Sequence, residues 1–432
     1  MKMKRAILGI LFCTLCVFLS GVPLANAARS DESLLELLKK KGVLTDEEVG
    51  RQKETVKKDD EALMKKLASP LKSMNLKVFG RIQPRHTFIK SDSSAGQTQT
   101  SNFTMRRARI GVSGDLTKDI EFFMQYESAS TANATSLIDA NVSFKQFDEW
   151  GRIVVGQQYI FAGVINSSGK TMITEREFAK FLNPGTSGRG KGIAVAKGGG
   201  LFGKGFFDDK LGYWFGIMNG PDLARNNDNG DNLYGGRIAL TPFGGMTGDE
   251  YNIKFSPLKF QIGFGGATSR DSLTTSGAGT STTTKVTDNW YSADFQLECK
   301  GWYFGSQWTR MSTDMGLTLP ELNSSAYFAG LTKSFKMPNN QFLGVGFVWQ
   351  HLDNEHPGKT VFMGPRSTSA RSTKSPAPTS PLGFNKGDSY HPVINYMFTP
   401  ALRLQIEYAL YKEDGVKEID NNTIFTQLTV DF

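Results

Sequence analysis

The chain closes on Thr423 to Phe432, TIFTQLTVDF, and this stretch decides the fold. Ile424, Leu428, Val430 and Phe432 share one parity. Thr423, Gln427, Thr429 and Asp431 share the other. Strict alternation over a strand's length is the pattern of a β-strand with one apolar and one polar face. In a barrel crossing a membrane the apolar face meets lipid and the polar face meets a water-filled interior. The terminal Phe with alternating apolar residues before it is expected to act as the barrel-insertion signal, carried by Ile424, Leu428, Val430 and Phe432.

The same period of two runs backward from the terminus to Leu76. Sixteen segments of strand length are legible: 76–90, 102–113, 119–130, 136–146, 151–158, 190–197, 211–218, 233–241, 258–268, 288–297, 301–311, 324–335, 341–353, 388–398, 401–411 and 422–432. Short connections are expected at 114–118, 147–150, 298–300, 336–340 and 399–400, with two longer ones on the same side at 198–210 and 242–257. The other side takes 91–101, 159–189, 219–232, 269–287, 312–323 and 354–387, and the shorter 131–135 and 412–421. Short turns at one end and long loops at the other are the asymmetry of outer-membrane barrels. An even strand count returns the C-terminus to the periplasmic side. The expected fold is therefore all-β, a 16-stranded antiparallel transmembrane β-barrel over residues 71–432.

Composition agrees. Among 432 residues there are 46 Gly and 31 Phe, and aromatics reach 11%. Mean hydropathy is −0.31, and one long apolar run exists, at the N-terminus. A helical membrane protein of this size would show several runs of about 20 apolar residues. Alternation hides lipid-facing residues from any average.

Residues 1–27 read as a signal peptide. Lys2, Lys4 and Arg5 precede an apolar core from Ile7 to Leu19, and Ala25-Asn26-Ala27 offers a cleavage site. An uncleaved anchor helix is the alternative. Cleavage lowers the formal charge from +8 to +5 by removing those three positive residues, an excess too small to suggest nucleic acid. It also leaves Cys299 as the one cysteine, so no internal disulfide is possible. The four histidines show no ligand spacing, and no metal or cofactor is expected.

Residues 28–70 form a different segment, charged and poor in aromatics. Leu34, Leu35, Leu37, Leu38 and Leu44 make a helical stripe. Thr45 with Glu48 makes a capping box for a second helix, and Val49, Val56, Leu63 and Leu67 make its seam. A short helical, coiled-coil-like periplasmic segment is one reading. A partly helical spacer is the other.

Parity also assigns charges. Leu76, Val78, Ile82 and Phe88 mark the lipid face of strand one, so Arg81, Gln83 and Arg85 face inward. Pro84 suggests a bulge. In strand two Ala108, Ile110 and Val112 face lipid, so Arg107 and Arg109 face inward. A lipid-facing arginine at the midplane would cost about 2–4 kcal/mol, which forces that assignment. Arg106 falls on the lipid parity, where it can snorkel. Strand three leaves Glu121, Gln125 and Glu127 inside, strand four Asp139, Asn141, Ser143 and Lys145, and strand eight Arg237. The lumen is then polar and mixed in sign. Basic rings favour anions in pores, whereas arginines paired with Glu121 or Glu127 would only brace the wall. The connection 159–189 is basic toward its end, with Lys170, Arg176, Lys180 and Arg189, followed by Lys191. Folded inward, it would set a constriction; an exposed loop is the alternative.

Several stretches resemble the phosphate-selective porin O and P family. They are VFGRIQPR (78–85), FTMRRARIGVSGDLTKDIEFFMQYE (103–127), WGRIVVGQQYIFAGV (150–164), NPGTSGRGKGIAVAKGG (183–199), LGYWFGIMNGPD (211–222), NLYGGRIALTPFG (232–244) and the terminal TIFTQLTVDF. The resemblance implies a homotrimer of sixteen-stranded barrels with an inward third loop and a basic pore. In this chain Glu175 and Glu177 flank Arg176 and dilute the loop's positive field. The expectation is an outer-membrane diffusion porin for small hydrophilic solutes, leaning to anions and with phosphate suggested by the resemblance. Its partners would be outer-membrane lipid, the barrel-insertion machinery and further copies of itself. The alternative is a structural tether acting through the N-terminal helices. An enzyme is not expected: no G-x-S-x-G occurs with a suitably placed His, and the histidines sit on separate segments.

Overall fold

A computed structural model describes residues 74–90, 99–128, 136–147, 151–159, 172–173, 197–207, 209–219, 231–277, 280–314, 322–354, 386–414 and 422–432, together with Lys41, Thr45, Glu47, Glu48, Arg51 and Glu54. The signal segment, most of 28–70, and the loop residues Lys170, Arg176, Lys180, Arg189 and Lys191 lie outside the described residues.

Residues 76–432 form one unit. Its strands are β1 (Lys77–Ile89), β2 (Thr100–Thr117), β3 (Ile120–Glu127), β4 (Ser136–Phe147), β5 (Gly151–Tyr159), β6 (Lys197–Phe207), β7 (Leu211–Met218), β8 (Leu233–Leu240), β9 (Lys259–Gly277), β10 (Thr280–Cys299), β11 (Trp302–Asp314), β12 (Leu322–Lys336), β13 (Phe342–Asn354), β14 (Lys386–Thr399), β15 (Leu402–Asp414) and β16 (Thr423–Asp431). Each pairs antiparallel with its sequence neighbours, and β1 pairs with β16, closing the barrel.

The seam closes on the terminal residue. Gly80 N–H donates to the Phe432 carbonyl at 2.8 Å, and Phe432 N–H returns a bond to Gly80 at 3.1 Å. Gly80 must lack a side chain here, because a Cβ would lie 2.3 Å from the Phe432 ring.

The outer face carries the apolar parity. Ile82, Ile110, Val155, Leu201, Ile238, Leu331, Ile394 and Ile406 are all exposed. Exposed aromatics flank them: Phe147, Phe243, Trp302, Phe335, Phe398 and Phe432 toward the turn end, and Phe103, Tyr234, Tyr327 and Tyr408 toward the loop end. An apolar band between aromatic girdles is what a bilayer selects on a barrel exterior.

Three expectations need correction. Strand six is Lys197–Phe207, whereas 190–196 of the expected 190–197 lie outside the described residues, so the long turn expected at 198–210 shrinks to the few residues between Phe207 and Leu211. Glycines mask this strand, and their function is steric. A Cβ at Gly203 would lie 2.4 Å from the Phe215 ring of β7, and one at Gly216 would lie 2.3 Å from Phe202. The neighbouring rings cover the glycines, so the apolar pattern belongs to the strand pair rather than to β6 alone. The polar loop expected at 269–287 is mostly strand, because β9 and β10 pair out to Gly277 and Thr280. Their threonines and serines favour extended backbone without marking a lipid face. Finally, the lumen is not polar throughout. Trp290, Met311, Phe328, Val348, Leu352 and Phe425 form a buried apolar cluster inside it, together with Met172 and Ile173. An inward-folded connection needs such a seat.

At the turn end Lys300 and Gly301 make a two-residue hairpin turn with φ of 43° and 84°, the positive values that such turns require. In the N-terminal segment Thr45 N–H donates to Glu48 at 2.8 Å and Glu48 N–H returns to Thr45 Oγ1 at 3.3 Å, the reciprocal bonds of a capping box. The Thr45 N–H and the Thr45 hydroxyl, which also donates to Glu48 Oε2 at 2.8 Å, hold the Glu48 carboxyl below its ordinary range.

Candidate functional site: two lumen walls and a crossing

Arg81, Gln83 and Arg85 alternate on β1 with outward Val78 and Ile82, so the tight pairing register delivers them inward. Pro84 lacks a donor, and the register slips there: Gln83 faces Arg107 while Pro84 faces Met105. Arg106 is the residue skipped by this bulge, so Arg107 and Arg109 keep the inward parity.

Each arginine then finds a partner across the sheet. Arg81 Nε donates to Asp431 Oδ1 at 2.5 Å, and Arg109 Nε to Glu127 Oε2 at 2.6 Å. Arg107 donates to Gln83 at 2.8 Å, and Gln83 passes a bond to Thr429 at 3.0 Å. Arg85 donates to Gln427 at 2.7 Å and stacks over Phe425 at 5.3 Å. Arg237 makes a two-pronged pair with Asp294, at 2.7 and 3.1 Å, in a space that only Gly263 leaves open. Two further pairs bridge strands one apart: Lys145 to Asp115 at 2.8 Å, and Arg152 to Glu121 at 3.3 Å. Sequence parity had placed Lys145 inside and had offered pairing of arginines with Glu121 or Glu127 as one reading; Arg109–Glu127 and Arg152–Glu121 are such pairs.

The ion pairs of β2 to β5 keep contact with solvent, although Asp139, Ser143, Val154 and Gln157 on the same strands are buried. Arg152 and Glu121 keep 37% and 35% of their side-chain surface exposed. The wall β13 to β16 does not. Gln350, Ser389, His391, Asn395, Gln405, Glu407, Thr423 and Thr429 face inward and are fully buried. Here His391 Nδ1 meets Glu407 at 2.8 Å, and its Nε2 meets Ser389 at 2.9 Å and Gln350 at 3.0 Å. Arg403 is buried beside them, with Nε and Nη1 lacking hydrogen-bond partners. None of these residues stood out in the sequence. Period two shows which face they occupy but not what covers it.

Two connections fold over this dry wall. Met172 and Ile173, from the connection between β5 and β6, are buried in the lumen cluster. From the opposite end comes the connection between β8 and β9. Asp249, Glu250, Tyr251 and Asn252 are buried, and Thr332 and Ser334 of β12 donate to the carbonyls of Glu250 and Tyr251 at 2.5 Å each. Gly344 leaves room for the Tyr251 ring, which would lie 2.6 Å from a Cβ. Burial raises the Tyr251 phenol, so it remains a donor. Among the described residues no group of His, Cys, Asp or Glu is arranged to hold a metal.

A closed sixteen-stranded barrel with this wall arrangement now meets one decisive finding: the sequence profile described as phosphate-selective porin O and P matches residues 80–432. The chain belongs to the phosphate-selective porin O and P family. Membership places it among outer-membrane channel proteins. Solved structures share the fold at low identity. OprB of Pseudomonas putida aligns with a TM-score of 0.57 at 11% identity, covering 87% of this chain and 97% of that one. An anion-selective porin from Comamonas acidovorans aligns with 0.51 at 10%, covering 83% and 99%. The trimer form of OmpT from Vibrio cholerae aligns with 0.51 at 11%, covering 83% and 100%. No curated protein matches the chain in sequence.

Proposed function

We propose that this protein is a diffusion porin whose solutes pass along the β1 to β6 wall, with a mild preference for small anions. The observation that carries this reading is the solvent contact of inward charges on that wall inside a closed barrel. The bases there are Arg81, Arg107, Arg109, Lys145, Arg152 and Lys204, set against Asp115, Glu121, Glu127 and Asp431, while Arg85 and Asp139 on the same wall are buried. A basic excess favours anions, and interleaved carboxylates moderate the field. Phosphate as the natural solute is supported by the family's description alone. Lys170, Arg176, Lys180, Arg189 and Lys191 would add positive charge along the β5–β6 connection.

In this reading residues 1–27 direct export, the loop end faces outward from the cell, and the C-terminus and the 28–70 segment lie in the periplasm. The alternating terminal strand, Ile424 to Phe432, serves recognition by the insertion machinery. A homotrimer is supported by the trimeric form of the OmpT structure. The Thr45–Glu48 capping box favours helices in the periplasmic segment, where they would assist trimer association or tether the membrane. Planar-bilayer recording tests the channel: purified protein should insert in conductance steps, in groups of three if trimeric. Absence of conductance would end the porin reading.

A further inference from the structure

Met172 is held from several sides. Its N–H donates to Glu250 Oε2 at 2.5 Å. Its carbonyl accepts from the Tyr251 hydroxyl at 2.8 Å and from Gln405 Nε2 at 2.7 Å. Its thioether fills the space over Gly330, where a Cβ would lie 2.6 Å from Cε. The residue comes from a connection rooted at the loop end of the barrel, whereas Glu250 and Tyr251 come from one rooted at the turn end. The two connections therefore meet inside the lumen.

This meeting is chemically specific. A backbone unit far from any sheet partner and fully buried must have both its N–H and its C=O satisfied, or the buried arrangement is lost. Here both are satisfied by groups outside its own connection. The partners are themselves anchored: Glu250 and Tyr251 hang from β12 through Thr332 and Ser334. Asp249 accepts the N–H groups of Tyr251 and Ile253, which fixes the turn that presents them.

We propose that the β8–β9 connection is a latch that positions the β5–β6 connection within the channel. Glu250, Tyr251 and Gln405 are positioning residues for the constriction. They do not line the solute path; they set where the crossing segment docks and how firmly. The proposal deepens the porin reading and rests on it for the electrical part of its test.

Four variants of the full-length protein test it: Glu250→Ala, Glu250→Gln, Gly330→Val, and Tyr251→Phe combined with Gln405→Leu. Heat-modifiable migration on gels confirms folded barrels. Single-channel recording and limited trypsin digestion are the readouts. Loss of one buried hydrogen bond carries roughly a tenfold change in a docking equilibrium. Glu250→Ala, Gly330→Val and the double variant should therefore show roughly tenfold more frequent transitions between conductance levels. They should also be cut faster between Lys170 and Lys180, mapped by mass spectrometry. Glu250→Gln keeps an acceptor oxygen and should behave as the parent. Unchanged transitions and an unchanged trypsin map in all four would overturn the latch. If the parent itself does not conduct, the porin reading fails, and the trypsin map still decides the latch.

Discussion

The two sides of the lumen use polar residues in opposite ways. On β2 to β5, charges pair across strands and stay wet: Arg109–Glu127, Lys145–Asp115 and Arg152–Glu121 all retain solvent contact. On β13 to β16, mostly uncharged groups are sealed from water, with the His391–Glu407 pair fully buried among them. The difference follows from what lies over each wall. Met172, Ile173 and the Glu250–Tyr251 turn pack over the second wall. Inward orientation alone therefore does not make a residue pore-lining.

Stability should separate the two environments most strongly. Asp294 is fully buried and holds Arg237 in a two-pronged pair. Asp294→Ala leaves a charge without its partner and should cost about 3–5 kcal/mol in urea unfolding of the folded barrel. Glu121→Ala on the wet wall breaks a solvent-screened pair and should cost below about 1 kcal/mol in the same assay. Equal losses would erase the distinction between sealed and solvent-screened pairs.

The seam between them gives a smaller effect. Gly80→Ala pushes a methyl group against the Phe432 ring and to 2.8 Å from the Arg109 carbonyl, a backbone clash that turning the ring does not relieve. Overpacking of this kind costs about 1–3 kcal/mol, and slower folding into lipid vesicles would register it. Unchanged folding would mean that Phe432 does not seal the seam. The smallest effect lies outside the barrel. The Glu48 carboxyl is held low by Thr45, so its contribution is present above the ordinary carboxylate pKa of 4.5 and lost as pH falls through the lowered value. The Thr45 amide resonance in selectively labelled protein should shift in that acid window, and Glu48→Gln should abolish the shift.

Much of this architecture was legible from period two. Strands β7, β11 and β16 lie within a few residues of where alternation puts them, and parity carried Arg81, Arg107 and Arg237 to the inner face. Three things were not legible, for physical reasons. Glycines of β6 and β7 pass the apolar signal to rings on the partner strand, Gly203 to Phe215 and Gly216 to Phe202. The hydroxyl-rich ends of β9 and β10 have strand propensity without an apolar face. The 242–257 stretch was readable as a long turn, but its burial depends on contacts with Thr332, Ser334 and Glu298, which lie far away in sequence. Likewise nothing local marks His391 or Arg403 as dry.

The central claim is that solutes follow the wet wall. The zero-current potential across a bilayer in a potassium chloride gradient tests it most directly, comparing the parent, Arg107→Glu with Arg109→Glu, and Arg403→Gln. The account predicts a chloride-favouring potential in the parent, a marked shift toward cations in the double variant, and little change for Arg403→Gln. A large shift for Arg403→Gln with none for the double variant would place the solute path along β13 to β16 and contradict it.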